Sequence, residues 1–195
     1  YTVIARNLIN SIKVSQLAGS VSEKSSYHHG EASLQSTIIG LAQNHVGSNN
    51  INLLCPEGQF GTRLLGGKDH ASPRYIYTKM ENIMKYLYHK DDNYLLNYLD
   101  DDGFTIEPEY YLPIIPMILV NGTEGIGTGF STKVPCYNPN EIINCILNLL
   151  DNKEINVLTP WYRNFMDDIL IPKWNGKNYE DIDKMYSKGI YTIEK

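Results

Sequence analysis

The sequence predicts an α+β fold, in which a winged helix is followed by the beginning of an α/β domain. Three observations support this prediction. Early segments carry apolar residues at helical spacing, short β-branched runs follow them, and a glycine-rich stretch separates two of those runs. Two or three helices, a strand, a glycine-rich loop and a second strand follow the order of a winged helix.

The first elements are predicted to be helices. Apolar residues across 8–21 indicate a short helical region, which Gly19 and the β-branched Val14 weaken. In SLQSTIIGLAQNHVG, one helical face would carry Leu34, Ile38, Leu41 and His45, and Gly47 can end the helix. We therefore predict an amphipathic helix over 33–44.

Strands and a wing follow these helices. INLL at 51–54 predicts a short buried strand that ends at Pro56. The segment GQFGTRLLGGKD has too many glycines for a helix and predicts an exposed loop or wing. RYIYT then has strand alternation, and apolar residues over 80–87 return to helical spacing.

The last third predicts a second domain. YYLPIIPMILV at 110–120 predicts a kinked approach into a strand, and NGTEGIGTGF predicts a glycine-dense loop. In CYNPNEIINCILNLLDN, Asn138 caps a helix, Pro139 suits its first position and Glu141 lies three residues after the cap. A domain boundary near 131–137 follows, so we divide the chain into domains 1–130 and 131–195.

Composition restricts the class of protein. The apolar fraction of 42% and the charged fraction of 20% are typical of globular proteins. Three cysteines without a CxxC pair indicate a reducing compartment, and neither a membrane span nor a signal peptide is apparent. The chain begins as though cut from a longer one. The net charge is −5, but residues 1–80 hold seven Lys and Arg against four Asp and Glu. Any nucleic-acid surface is expected there.

Several motifs fail their templates. A dinucleotide loop in NGTEGIGTG would need a third glycine where Phe130 stands. The acidic run DDDG would put Tyr98 at the first ligand position of an EF-hand, so a solvated turn is the better interpretation. The adjacent histidines of YHHGE have no matching cluster for a metal. Ile126, held between glycines, leaves two interpretations open, which are a core plug and a wedge between stacked bases.

SPRYIYT is the segment in which covalent chemistry is most plausible. A phenol has a pKa of about 10, so a nucleophilic tyrosine needs a cationic neighbour or a base. Arg74 adjoins Tyr75, yet neighbours in a regular strand point to opposite faces, so both serve one phosphate only if the chain bends. Because the chain has 15 tyrosines, Tyr75 is at this point a candidate among many.

A set of longer strings carries a family resemblance. They are SYHHGEASLQSTIIGLAQNHVGSNNINLL, GQFGTR, GGKDHASPRYIYT, EPEYYLPIIPMILVNG and EGIGTGFSTKVPCYNPNEI. In this order, from about residue 13 to 150, they resemble the breakage-reunion core of type IIA DNA topoisomerases, and the eukaryotic enzymes more than gyrase. The position of the later residues suits the start of the family's tower domain.

The resemblance implies specific roles for the site residues. Tyr75 matches the tyrosine that attacks a DNA phosphorus, expels the 3′-hydroxyl and stays joined to the 5′-phosphate. Arg74 matches an arginine that stabilises the phosphoryl oxygens, His29 matches the active-site histidine, and His28 a phosphate contact. Ile126 matches the isoleucine that wedges between base pairs. The helix predicted over 33–44 resembles the family's recognition helix, and the resemblance assigns DNA contacts to Lys13, Gln35, Arg63 and Lys68.

The same resemblance implies the character of the whole enzyme. It passes one DNA duplex through a transient double-strand break in another, uses ATP, works as a homodimer and acts in the nucleus. Mg²⁺ is bound by a toprim domain and ATP by a further domain, both upstream, so this fragment alone is expected to be inactive. Two alternatives remain open, namely a winged-helix module that grips DNA without cutting it, and a domain that contacts only protein.

Overall fold

The computed structural model describes residues 1–166, 173–174 and 179–180. The helices are α1 (Thr2–Ala5), α2 (Val14–Lys24), α3 (Glu31–Ala42), α4 (Met84–Leu87), α5 (Met117–Val120) and α6 (Pro139–Leu150). The strands are β1 (Ile12–Lys13), β2 (Tyr77–Thr78), β3 (Tyr98–Asp101), β4 (Phe104–Pro108), β5 (Thr123–Gly127), β6 (Phe130–Val134), β7 (Lys173–Trp174) and β8 (Tyr179–Glu180). The predicted α+β class is confirmed. The chain divides into two compact units, 1–115 and 116–195.

The core of the first unit lies between α2 and α3. Leu17 of α2 and Ile39 of α3 are almost completely buried, and the core continues into Leu54, Phe60 and Ile76. Burying one such side chain stabilises the fold by about 1.5–3 kcal/mol. The helix predicted over 33–44 is confirmed as α3, displaced by two residues.

The helical region predicted over 8–21 begins later than expected. Ile12 and Lys13 form β1, which pairs antiparallel with β2 through Ile12↔Thr78 and Lys13↔Tyr77. Only from Val14 does α2 begin. The backbone groups of β1 therefore bond to a distant strand, and this long-range pairing overrides the local helical pattern.

Two other predicted elements are shorter than expected. The predicted strand 51–54 is reduced to a single bridge between Leu54 and Met80. The predicted strand RYIYT is limited to Tyr77–Thr78, because the residues preceding it form a turn. Met80 bonds through its N–H to the carbonyl of Leu8 at 2.8 Å, so the helix predicted over 80–87 is limited to Met84–Leu87.

The DDDG run forms the predicted solvated turn. It joins β3 to β4 through Asp102 and Gly103, whose φ values are 51° and 84°. The carboxylate of Asp100 accepts from the N–H of Gly103 at 3.0 Å. Positive φ at both turn positions is the geometry that joins tightly paired strands.

The second unit differs most from the sequence-based prediction. The predicted strand at the end of YYLPIIPMILV is the short helix α5, which follows Pro116. The predicted loop NGTEGIGTGF is a hairpin, in which β5 and β6 pair from Thr123↔Val134 to Gly127↔Phe130. Gly129, with φ of 78°, closes the two-residue turn. Both predictions were wrong. For the hairpin, the reason is that cross-strand hydrogen bonds are not visible in glycine content.

The start of α6 agrees with its local signals. The side-chain oxygen of Asn138 accepts from the N–H of Asn140 at 3.0 Å, and Pro139 is the first helical residue. The predicted boundary at 130/131 would cut β6, whereas the contacts divide the chain between Ile115 and Pro116. No helix among the described residues is long and apolar enough to cross a membrane.

Candidate active site

Tyr75 lies on a tight turn with its phenol in solvent. Its N–H donates to the carbonyl of Ser72 at 2.9 Å, which closes a turn over 72–75. The side chain is 70% exposed, whereas the next residue, Ile76, is 1% exposed in the core. The backbone is thus anchored directly beside an accessible hydroxyl group.

Helix α2 fixes this turn through its N-terminus. The N–H of Val14 donates to the carbonyl of Ile76 at 3.0 Å, and the N–H of Ser15 donates to that of Pro73 at 3.2 Å. The first N–H groups of a helix have no partner inside it, and no side chain caps α2. The carbonyls on either side of Arg74 and Tyr75 supply those partners. As a result, the position of Tyr75 is coupled to a helix in the core.

Arg74 and Tyr75 are brought together by the turn. The guanidinium carbon of Arg74 is 5.7 Å from the centroid of the Tyr75 ring. Its Nε also lies 3.4 Å from the hydroxyl of Ser72. The sequence required a bend here for both side chains to serve one ligand, and the turn over 72–75 is that bend. Ser72 was not identified as a site residue from the sequence.

Glu57 is hydrogen-bonded to β2, the strand that follows the Tyr75 turn. Its backbone exchanges hydrogen bonds with Tyr77 at 3.0 and 2.9 Å. The carboxylate accepts from the hydroxyl of Ser11 at 2.5 Å and pairs with Lys79 at 2.9 Å. The Ser11 hydrogen bond, followed by that from Lys79, lowers the pKa of Glu57. The hydrogen bond with Glu57 in turn raises the pKa of Lys79.

The two adjacent histidines lie between α2 and α3. Both are exposed, and the His29 ring meets that of Tyr27 edge to face, with centroids 5.3 Å apart. His28 Nε2 lies 3.7 Å from a carboxylate oxygen of Asp101, at the end of β3. The sequence drew attention to the DDDG turn but gave no indication that Asp101 meets a histidine.

The remaining predicted residues of this unit are distributed around α2. The histidines follow its C-terminal end, while the Tyr75 turn is bonded to its N-terminus. Lys13 directly precedes α2 and pairs with Tyr77, so it lies on the Tyr75 side. Gln35 is on α3, where its amide donates to the carboxylate of Glu31 at 2.7 Å. The structure therefore brings Arg74 and Lys13 to the Tyr75 end of the helix, and His29 to the other end.

Arg63 and Lys68 are exposed on the wing loop, defined as residues 59–70. Its two ends are held together by Asp69, which accepts from the N–H and the hydroxyl of Thr62 at 2.8 and 2.7 Å. These bonds lower the pKa of Asp69. From α3's end, Gln43 donates to the carbonyls of Phe60 and Gly67 at 2.8 and 3.0 Å. The wing loop therefore presents its cations from a defined backbone.

In the second unit, Ile126 lies on β5 opposite Ser131. It is 89% exposed, so the interpretation of this residue as a core plug is wrong. All five residues of β5 are exposed, as are the first four of β6. A two-stranded hairpin without a covering layer is marginally stable alone. An apolar side chain held on such a hairpin is available to a partner.

Comparisons with known proteins agree on one family. The family model for the A subunit of DNA gyrase/topoisomerase IV matches residues 1–195. The chain is 59% identical over 169 residues to DNA topoisomerase 2 of Bombyx mori, which covers 87% of the chain and 11% of that protein. It is 56% identical over 165 residues to "DNA topoisomerase 2, mitochondrial" of Dictyostelium discoideum, covering 84% of the chain and 13% of that protein.

A solved structure is also similar. It is the crystal structure of the Plasmodium falciparum topoisomerase II DNA-binding, cleavage and re-ligation domain, with a TM-score of 0.84 and 48% identity. The match covers 91% of this chain and 24% of that one. This chain thus spans only about a tenth of the length of these two curated relatives.

Proposed function

The chain belongs to the family of the DNA gyrase/topoisomerase IV A subunit, and we propose that it is the DNA-cleaving part of a eukaryotic-type, type II DNA topoisomerase. The observation that carries this proposal is the Tyr75 turn. An exposed phenol stands on a backbone anchored to the core, with a guanidinium beside it. Such an arrangement suits a nucleophile that must meet a large polyanion at a fixed position.

The reaction is a phosphoryl transfer. The Tyr75 oxygen attacks a DNA phosphorus, a new O–P bond forms, and the bond from phosphorus to the 3′ oxygen breaks. The phenol loses its proton and the departing 3′ oxygen gains one. The protein remains attached to the 5′-phosphate, and the reverse reaction reseals the strand.

Arg74 and His29 assist this step. The Arg74 guanidinium is delocalised and always charged, so it stabilises the negative charge that accumulates on the phosphoryl oxygens. His29 is exposed at the other end of α2 from the Tyr75 turn, and we assign it as a catalytic histidine that donates to the same DNA segment from that end. His28, Lys13 and Gln35 contact the DNA around it, with the side chains hydrogen-bonding to backbone or base edges.

The described residues do not fit a metal site by themselves. No group of three or more His, Cys, Asp or Glu side chains among them is placed to hold a metal ion. From the resemblance to type IIA DNA topoisomerases, we propose that Mg²⁺ is held by a separate toprim domain of the same polypeptide and ATP by a further domain. The steps assigned to this chain use its own side chains only.

Ile126 and the wing loop bend and hold the DNA. The 89% exposed Ile126 enters the base stack as a wedge. Arg63 and Lys68 neutralise backbone phosphates on the wing loop, and α3 serves as the recognition helix. Unstacking DNA costs a few kcal/mol per base step, which the additional backbone contacts of a bent segment offset.

The whole enzyme passes one duplex through a double-strand break in another, at the expense of ATP. Each copy of Tyr75 cuts one strand, so two copies of the chain act together as a homodimer on double-stranded DNA. We place the enzyme in the nucleus, and this chain alone is expected to be inactive.

The test compares two neighbouring tyrosines in the longer protein, supplied with Mg²⁺ and DNA labelled at its 5′ and 3′ ends in separate reactions. Tyr75→Phe removes one hydroxyl and is expected to abolish the covalent adduct to the 5′ end of the break. Tyr77→Phe is the matched control, two residues away and 39% exposed, and keeps the adduct. An adduct that persists in Tyr75→Phe refutes the proposal. DNA binding with no adduct from the wild type indicates instead a winged-helix module that grips DNA without cleavage.

A further inference from the structure

The β5–β6 hairpin exposes a second large apolar side chain. Phe130 is 85% exposed, close to the 89% of Ile126. It is the first residue of β6 and pairs with Gly127 across the two-residue turn. Neither the catalytic step nor the wedge makes use of it.

The strand register puts the two side chains on opposite faces. Directly paired residues share a face and successive residues alternate. Ile126 therefore shares its face with Ser131, and with the ion pair between Glu124 and Lys133 at 3.3 Å. The other face carries Phe130 with Thr123, Gly125, Gly127, Thr132 and Val134, none of which is charged.

The register also orders the two residues along the hairpin. The Gly127↔Phe130 pair adjoins the turn, whereas the Ile126↔Ser131 pair is one residue further away, about 3.3 Å along the strand. A partner that takes up the Ile126 side chain must accommodate the tip beyond it. A partner groove that admits the tip touches both faces of the hairpin, and it then also meets Phe130.

The glycines of the Phe130 face are not required by the hairpin itself. A Cβ on Gly125 would have no atom within 4 Å, and one on Gly127 would lie 3.8 Å from the Phe130 carbonyl. Neither glycine has a positive φ. Since internal packing and backbone conformation leave both positions free for a side chain, the flat surface suits close approach by an external group.

We propose that Phe130 is a second DNA-contacting residue, which packs against the deoxyribose rings of the minor groove while Ile126 enters the base stack. The inference rests on the proposed function and deepens it. An undistorted minor groove is about 6 Å wide, too narrow for a hairpin with side chains on both faces. Insertion of Ile126 between base pairs widens the minor groove. The uncharged, glycine-lined face that carries Phe130 then lies along one wall of the groove.

A matched control is present in the first unit. Phe104 is likewise the first residue after a two-residue turn of a hairpin, here a partly exposed one, and it is 74% exposed. It pairs with Asp101, so its face carries a carboxylate that disfavours DNA phosphates. Phe104 therefore has the same side chain at the same position beside a two-residue turn, in a less favourable electrostatic setting.

The experiment uses the full-length protein and a bent DNA duplex carrying dyes at both ends. Phe130→Ala is expected to weaken DNA binding about tenfold through the lost burial of an aromatic side chain, and Phe104→Ala less than about twofold. Gly127→Ala is expected to weaken binding with an unchanged thermal unfolding midpoint. With p-benzoylphenylalanine in place of Phe130, light should attach the protein to labelled DNA, and the same replacement at Phe104 should do so with a markedly lower yield.

Each contrary result overturns the inference. Cross-links from position 130 to polypeptide instead of DNA would show that a protein surface covers this face. Equal affinities of the two alanine variants would show that Phe130 makes no specific contact. The proposed function is judged separately, because its failure appears in the wild type as loss of DNA bending and of the Tyr75 adduct, whereas failure of this inference leaves both intact.

Discussion

The guanidinium carbon of Arg74 lies 5.7 Å from the centre of the Tyr75 ring, on a turn whose flanking carbonyls are bound by the N-terminus of α2. A flat, delocalised cation can lie over a ring and still direct N–H groups at a phosphate, which a lysine ammonium cannot do in the same way. We therefore expect that a lysine cannot replace Arg74 in the cleavage step.

Arg74→Lys is expected to slow formation of the 5′ adduct by about 100-fold, as loss of one preorganised donor does in other enzymes. DNA affinity should change little because the positive charge is retained. Single-turnover cleavage with saturating enzyme measures the rate, and a filter-binding titration measures affinity. A variant that cleaves at the wild-type rate would remove Arg74 from the catalytic group.

Asp101 is expected to compete with DNA for His28. Its carboxylate lies 3.7 Å from Nε2, an exposed ring nitrogen that a phosphate would also approach. Asp101→Asn should strengthen DNA binding by between about 1.5-fold and fivefold, the range for exposed ion pairs. Asp102→Asn removes an equal charge from the next residue, which the structure does not pair with His28, and serves as the control. If the two changes strengthened binding equally, the effect would come from the lost negative charge alone and not from the contact between Asp101 and His28.

Gly61 is expected to tolerate no side chain. Its φ is 100°, and an added Cβ would lie 2.5 Å from the backbone oxygen of Gly67. Gly61→Ala should therefore distort the wing loop and cost about 2 kcal/mol or more in stability. Gly66→Asn is the control, because Gly66 has φ of 58° with open space around it and asparagine tolerates that conformation. Denaturant unfolding compares the two variants.

The contribution of Glu57 to stability is expected to depend on pH. The Ser11 and Lys79 hydrogen bonds hold its pKa below the ordinary value of 4.5. A lowered folded-state pKa stabilises the protein above the unfolded-state pKa, and the effect disappears as pH falls through the folded value. The difference in unfolding free energy between wild type and Glu57→Gln should be small, because both side chains of the pair are partly exposed. It should be present at neutral pH and vanish in acid. A difference that grows on acidification would contradict the assignment.

Arg63 and Lys68 are expected to act on DNA by charge alone. Replacing either with glutamine should weaken binding to all sequences to a similar degree. It should also reduce the slope of log affinity against log salt by about 0.9 for each phosphate that the variant no longer neutralises. Titrations at several salt concentrations provide this slope. If the affinity falls but the slope stays constant, the side chain touches something other than phosphate.

The sequence alone was sufficient wherever the determining signal was local. Asn138 and Pro139 predict the start of α6, and the spacing of apolar residues predicts α3. Both signals are local, because caps and helical faces depend on residues within a few positions. The ordered strings around Tyr75 were sufficient to identify the family, since they occur together and in sequence. The proposal of Tyr75 among fifteen tyrosines rests on the same strings, because composition and spacing leave that choice open.

The way the candidate site is built is visible only in the folded chain. The bend that joins Arg74 to Tyr75 depends on the N–H groups of Val14 and Ser15, about sixty positions away. The glycine-dense segment around Ile126 is a hairpin because its backbone groups pair across two strands. Hydrogen-bond partners and solvent exposure are set by contacts between distant residues, and neither composition nor periodicity records those contacts.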